Sequence, residues 1–144
     1  CFPFRCDRSL RLGAVRSATH AVWVWGPAVF LMIAIFVFSS FSKLPVSLGG
    51  SSDLTIHGVV YALLGILMVR ALAGGTWRGL NTNTLATAVL LTIFYGFTDE
   101  YHQSFVPGRV ADIRDVIADV LGACSGVVGV WLWGIVFLGK REEM

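Results

Sequence analysis

The sequence predicts an all-α membrane protein, a four-transmembrane-helix bundle with both termini in the cytoplasm. Three observations predict it. Apolar residues make up 56% of the 144 positions and charged residues only 14%, with a mean hydropathy of +0.74. A soluble domain carries about 25% charged residues. Long apolar stretches alternate with short polar connections, and the basic residues gather on one side of the topology that results. By length the chain is one domain. Its parts are a basic cytoplasmic segment over 1–20, the membrane domain over 21–139 and a cytoplasmic tail over 140–144.

No charge interrupts the chain between Arg16 and Lys43, and Ala21 to Phe41 supplies the first span. Its apolar run is too long for a cleaved signal peptide, and no small-residue cleavage pattern follows it. The chain starts at Cys1 rather than Met, as a fragment or a mis-set start would. Lys43-Leu44-Pro45 and Gly49-Gly50-Ser51-Ser52 then break the chain. The second span is Leu54 to Ala73, uncharged up to Arg70 apart from titratable His57, with Arg70 long enough to snorkel. Gly74-Gly75 and Asn81-Thr82-Asn83 mark the next turn, and the third span is Thr84 to Thr98. Pro107-Gly108 marks the last turn. The fourth span runs from near Ala111 to near Leu138, and Val120 to Gly139 is a 20-residue stretch without charge. Each span covers a hydrocarbon core of about 30 Å, the second and third least comfortably.

Four spans put both termini and the second-to-third connection on one side. That side holds Arg5, Arg8, Arg11, Arg16, Arg70, Arg78, Lys140 and Arg141, eight basic residues, against Lys43, Arg109 and Arg114 on the other. Positive-inside bias makes the eight-residue side cytoplasmic, which in a bacterium means the inner membrane. The net charge of +2, with no dense basic stripe, gives no sign of a nucleic-acid partner. Cys1, Cys6 and Cys124 form no disulfide framework, since Cys124 lies within an apolar stretch.

The acidic residues run opposite to the basic ones. Asp53, Asp99, Glu100, Asp112, Asp115 and Asp119 all fall at the outer ends of the spans. Their spacing gathers them. Asp53, His57 and Tyr61 follow at i, i+4 and i+8, one face of a helix. Thr92, Tyr95, Asp99 and His102 step by three, four and three, with Gln103 beside them. In the fourth span Asp112, Asp115, Asp119, Gly122, Gly126 and Gly129 form one stripe, acidic outside and glycine-only deeper down. Gly122-Ala123-Cys124-Ser125-Gly126 is a GxxxG sequence, which permits close helix approach in lipid. The face that packs inward is therefore expected to carry the carboxylates, with Arg109 and Arg114 as local counter-charges.

Part of this cluster has a purely structural explanation. Asp53 is placed to cap the second helix, and Asp112 or Asp115 the fourth. Capping does not explain Asp119, about two turns in, nor three like charges whose i, i+3 and i+4 pairs each cost roughly 0.2–0.5 kcal/mol. An Arg–carboxylate fork is the expected structural arrangement. His57, His102, Asp99 and Glu100 are residue types that bind a divalent metal, yet neither histidine sits in a zinc-type pair such as HxxxH, so a metal site ranks low and none is assigned. His57, Glu100 and His102 are the candidates for acid–base catalysis on a lipid head group. GxSxG is absent and Cys124 lies too deep, so binding by Asp53, His57, Tyr61, Asp99, Glu100, His102, Gln103, Arg109, Asp112, Asp115 and Asp119 ranks ahead of turnover. A scaffold subunit packing through its glycine face is a third class. No cofactor is indicated.

Asp53-Leu54-Thr55-Ile56-His57 with Tyr61, then Asp99-Glu100-Tyr101-His102-Gln103 with Phe105-Val106-Pro107-Gly108-Arg109, Asp112, Asp115 and Gly122-Ala123, resembles the VanZ-like family over about residues 30 to 135. The family usually carries Lys where this chain has Leu54, and Asn where it has Asp119. The resemblance implies a small bacterial integral membrane protein of the cell envelope. The founding member is associated with resistance to teicoplanin, a glycopeptide antibiotic that acts on lipid-linked cell-wall precursors outside the membrane. The partners it implies are the lipid bilayer and a lipid-linked envelope precursor.

Overall fold

A computed structural model describes residues 3–41, 50–76, 80–110 and 112–142, with side chains described over 18–41, 54–76, 80–110 and 112–135. Among these residues the chain is all-helical, with α1 Pro3–Ser39, α2 Gly50–Leu72, α3 Thr82–Gln103 and α4 Ile113–Glu142. Three helices are long and apolar enough to cross a membrane, over Ala18–Ser39, Leu54–Leu72 and Ile113–Ile135. α3 does not reach that standard, because threonines, Asn83 and the Asp99-Glu100 pair dilute its apolar content. Residues 42–49, which include Lys43 and Pro45 of the first expected break, lie outside the described residues.

Local chemistry sets the helix ends. Gly74 and Gly75 take φ of 64° and 73°, the left-handed region, and the Gly75 N–H returns to the Arg70 carbonyl at 2.9 Å. That closes α2 in the way glycine closes helices generally. Asn81 caps α3 by accepting from the Thr84 N–H at 3.0 Å. Gly108, at φ 84°, makes the turn that sends the chain from α3 into α4. Asp112 starts α4, accepting from the Arg114 N–H at 2.9 Å.

The tightest pairing joins α2 and α4. A Cβ at Gly122 would run into the Gly58 carbonyl, and one at Gly126 into the Ala62 carbonyl. A Cβ at Gly65 would lie 3.0 Å from the Ala123 carbonyl oxygen. The stripe on α4 thus meets a matching small-residue stripe on α2, and the backbones touch. Gly129, the deepest member expected in the stripe, is exposed and a Cβ there would meet nothing within 4 Å. The 3.6-residue turn carries it off the contact face once the helices diverge.

Below the glycine contact, Met68, Val69, Ala88 and Val127 form the apolar core, with Met32, Leu72, Leu85 and Val130 against it. Large apolar side chains such as Phe30, Phe94, Leu121 and Trp131 point outward, as they do in a protein solvated by lipid tails. α1 packs outside the other three. Pro27 lies within it and has no N–H to give the Trp23 carbonyl one turn earlier. Arg70 of α2 supplies the donor instead, from Nη1 to the Trp23 oxygen at 3.0 Å and the Val24 oxygen at 2.8 Å. Its guanidinium also lies 5.6 Å from the Trp23 ring centre. Arg70 therefore has partners within the protein as well as a stem that can reach the interface. Tyr95 of α3 donates to the Met32 carbonyl at 2.6 Å, a second tie to α1.

Candidate functional site

Above the glycine contact, the same helices bring polar groups together. His57 and Tyr61 sit one turn apart on α2, Asp99, Glu100 and Gln103 at the end of α3, and Asp115 and Asp119 one turn apart at the start of α4. The short connection between α3 and α4 forces the last turn of one beside the first turn of the other. Asp53 belongs to α2, but its side chain lies outside the described residues.

The centre is a pair. His57 Nδ1 lies 3.0 Å from Asp119 Oδ1, and Asp119 is only 1% exposed. A carboxylate only accepts, so in this contact the imidazole donates from Nδ1. Gly96 of α3 makes room, since a Cβ there would come within 3.3 Å of Asp119 and 3.2 Å of the Tyr61 ring. The His57 and Tyr61 rings lie nearly parallel with centres 6.5 Å apart.

Around this pair the carboxylates are incompletely satisfied. Gln103 Nε2 donates to Asp99 Oδ2 at 2.9 Å, and the Asp112 N–H to Glu100 Oε2 at 3.3 Å. The other oxygens, Asp99 Oδ1 and Glu100 Oε1, join Asp119 Oδ2 and the Tyr61 hydroxyl as buried atoms without a hydrogen-bond partner among the described residues. Native structures leave few such groups, and here four share one cluster.

Against the cluster lies a cavity of about 340 Å³. Leu31, Ala34, Ile35 and Phe38 of α1 and Ile56 and Val60 of α2 make its apolar wall. His57, Tyr61, Asp99, Gln103, Ser39 and Arg109 make its polar part. The sequence reading missed the α1 contribution entirely. It also missed Gly96 and the small-residue stripe Gly58, Ala62 and Gly65, although i, i+4, i+7 spacing of small residues was a visible signal.

Three expected members behave differently. His102 turns away toward α1, with Nε2 3.0 Å from the Ser40 hydroxyl and its ring stacked on Phe36 at 4.4 Å. One position further along, Gln103 takes the inward place instead, because steps of three and four both fit a helical face. Arg109 does not form the expected fork with a carboxylate; its Nε donates to the Phe41 carbonyl at 3.3 Å. The turn at Gly108 directs it to the end of α1. Asp112 is exposed and serves as the cap of α4, while its N–H holds Glu100.

A sequence model of the VanZ/LLP1 family matches residues 24–136, which take in α2, α3, the cavity and every described member of the cluster. No curated protein and no solved structure matches the chain.

Proposed function

The chain belongs to the VanZ/LLP1 family, and from that premise we propose that it recognises the head group of a lipid-linked component of the bacterial cell envelope. In this reading it lies in the cytoplasmic membrane with α3 as a fourth span. α3 is 22 residues long, about 33 Å of helix. Its Thr92, Asp99, Glu100 and Gln103 are buried, while Leu90, Leu91, Phe94 and Phe97 point outward. Both termini are cytoplasmic, by the eight-to-three distribution of basic residues. The cluster then opens on the outer side.

The observation that carries the reading is the polarity of the cavity. Apolar side chains from α1 and α2 line one part and His57, Tyr61, Gln103 and Arg109 another. An apolar chain fits the first, and Arg109 suits an anionic oxygen in the second. An effect on susceptibility to teicoplanin-type antibiotics follows, because these drugs act on lipid-linked precursors at that surface.

Binding of a polyprenyl phosphate and of the matching polyprenol to the purified protein in lipid nanodiscs tests it. The phosphate is expected to bind at least tenfold more tightly, and Arg109→Gln to remove most of that difference, as loss of a charge-assisted hydrogen bond does. Equal binding of the two lipids defeats the proposal. The His57–Asp119 pair favours a second reading, a hydrolase or transferase with His57 as general base. Release of free phosphate that stops in His57→Ala decides for the enzyme. A scaffold role through the glycine face has less room, since Gly122 and Gly126 already hold α2.

A further inference from the structure

We infer that His57, Glu100 and Asp115, one from each of α2, α3 and α4, bind a divalent transition-metal ion, with Asp119 positioning the histidine. One ligand atom from each of the three lies within 4.8 Å of the others. Ligands on opposite sides of an ion, each about 2.0–2.2 Å from it, are at most about 4.4 Å apart. In a tetrahedral site the three ligand atoms stand about 3.3–3.6 Å from one another, so a contraction of up to about 1.5 Å closes the site, and side-chain rotation of Glu100 and Asp115 supplies it.

Glu100 gives the independent sign of a ligand. It is 5% exposed, its Oε2 is engaged by the Asp112 N–H, and Oε1 has no partner among the described residues. A buried carboxylate oxygen left in that state is unfavourable unless a cation or donor meets it. A bound dication meets it directly.

Asp119 supplies the histidine's geometry. With Nδ1 donating to Asp119 Oδ1 at 3.0 Å, His57 as a metal ligand would bind through Nε2. Histidines that bind metal commonly donate their other N–H to a carboxylate, which fixes the ring and raises its basicity. The sequence pattern HxxxH has no bearing on this site, because each ligand comes from a different helix.

Charge points the same way. Asp99, Glu100, Asp115 and Asp119 gather at one end of the bundle, where the nearby cations are Arg114 and Arg109, the latter donating to a backbone carbonyl. A dication offsets that repulsion. One imidazole nitrogen with two carboxylate oxygens suits zinc or manganese; calcium and magnesium prefer oxygen alone, and copper(I) prefers sulfur. Three protein ligands leave a position for an outside oxygen. That this oxygen belongs to a phosphate rests on the head-group reading above; the metal site does not.

The test is metal binding by the full chain in detergent after chelation, titrated separately with Zn²⁺ and Mn²⁺. One equivalent is expected to remain through desalting. Glu100→Gln and Asp115→Asn are each expected to weaken binding at least tenfold, and Asp119→Asn by roughly ten- to a hundredfold. Substituting Glu142→Gln with Glu143→Gln in the tail should change nothing. Mn²⁺ bound to the native protein should show nitrogen hyperfine coupling that changes on ¹⁵N-histidine labelling and persists in His20→Gln, a readout that needs no ligand variant to fold. Absence of a retained equivalent overturns the inference. So does binding unchanged in a folded Glu100→Gln variant, or Mn²⁺ without nitrogen coupling. Retained metal without preference for the phosphorylated lipid defeats the head-group reading alone.

Discussion

His57 on α2 and Asp119 on α4 stand 62 positions apart in sequence and 3.0 Å apart in the fold. They meet where glycines let the two helices touch backbone to backbone. The pair is thus a readout of helix packing as well as of site chemistry.

Asp119→Asn keeps an oxygen that accepts from His57 Nδ1, and a small, similarly shaped side chain against Gly96. It is expected to fold with a loss below about 1 kcal/mol. Asp119→Ala leaves the imidazole N–H buried without an acceptor and should cost about 1–3 kcal/mol. Helical signal against temperature in detergent measures both, and equal losses would show that the hydrogen bond is not what matters.

Glycine substitutions separate contact from composition. Gly122→Ala and Gly126→Ala drive a methyl into the Gly58 and Ala62 carbonyls, and each should cost about 1–3 kcal/mol or more through overpacking. Gly129→Ala meets open space and should be neutral or slightly stabilising, since alanine favours helix over glycine by roughly 0.5–1 kcal/mol. Unfolding of the three variants in one detergent compares them. Similar effects at all three positions would contradict the packing.

Arg70 and Pro27 should be coupled. Arg70→Ala removes the donors to the Trp23 and Val24 carbonyls, at about 1–3 kcal/mol. Pro27→Ala restores an N–H that can reach the Trp23 carbonyl within α1, so Arg70→Ala should cost less in that background. A double-mutant cycle reads the difference. Strict additivity would mean that Arg70 does not act through that carbonyl.

The sequence made the helices and most of the cluster legible, for physical reasons that also mark where it stopped. Apolar length and glycine turns located all four helices, and i, i+4 spacing put His57 with Tyr61 and Asp115 with Asp119 on shared faces. Spacing alone could not choose between His102 and Gln103, because both lie within one helical step of the Asp99 face. Nor could it foresee that Arg109 would reach the Phe41 carbonyl, since that direction depends on where α1 ends. The apolar wall of the cavity was invisible for a related reason: Leu31, Ala34, Ile35 and Phe38 are indistinguishable in sequence from lipid-facing neighbours.

The hydrogen bonds that reach α1 and the residues just after it have one property in common. Arg70, Tyr95 and Arg109 come from three parts of the chain, and each donates to main-chain oxygens, at Trp23 and Val24 and Met32 within α1 and at Phe41 just past its end. A carbonyl is the same whatever side chain its residue bears. None of these hydrogen bonds uses the side chains of Leu31, Ala34, Ile35 or Phe38, so those four can drift without breaking one of them. One wall of the cavity is an interchangeable panel, open to retuning for a differently shaped tail while the polar end opposite it stays fixed.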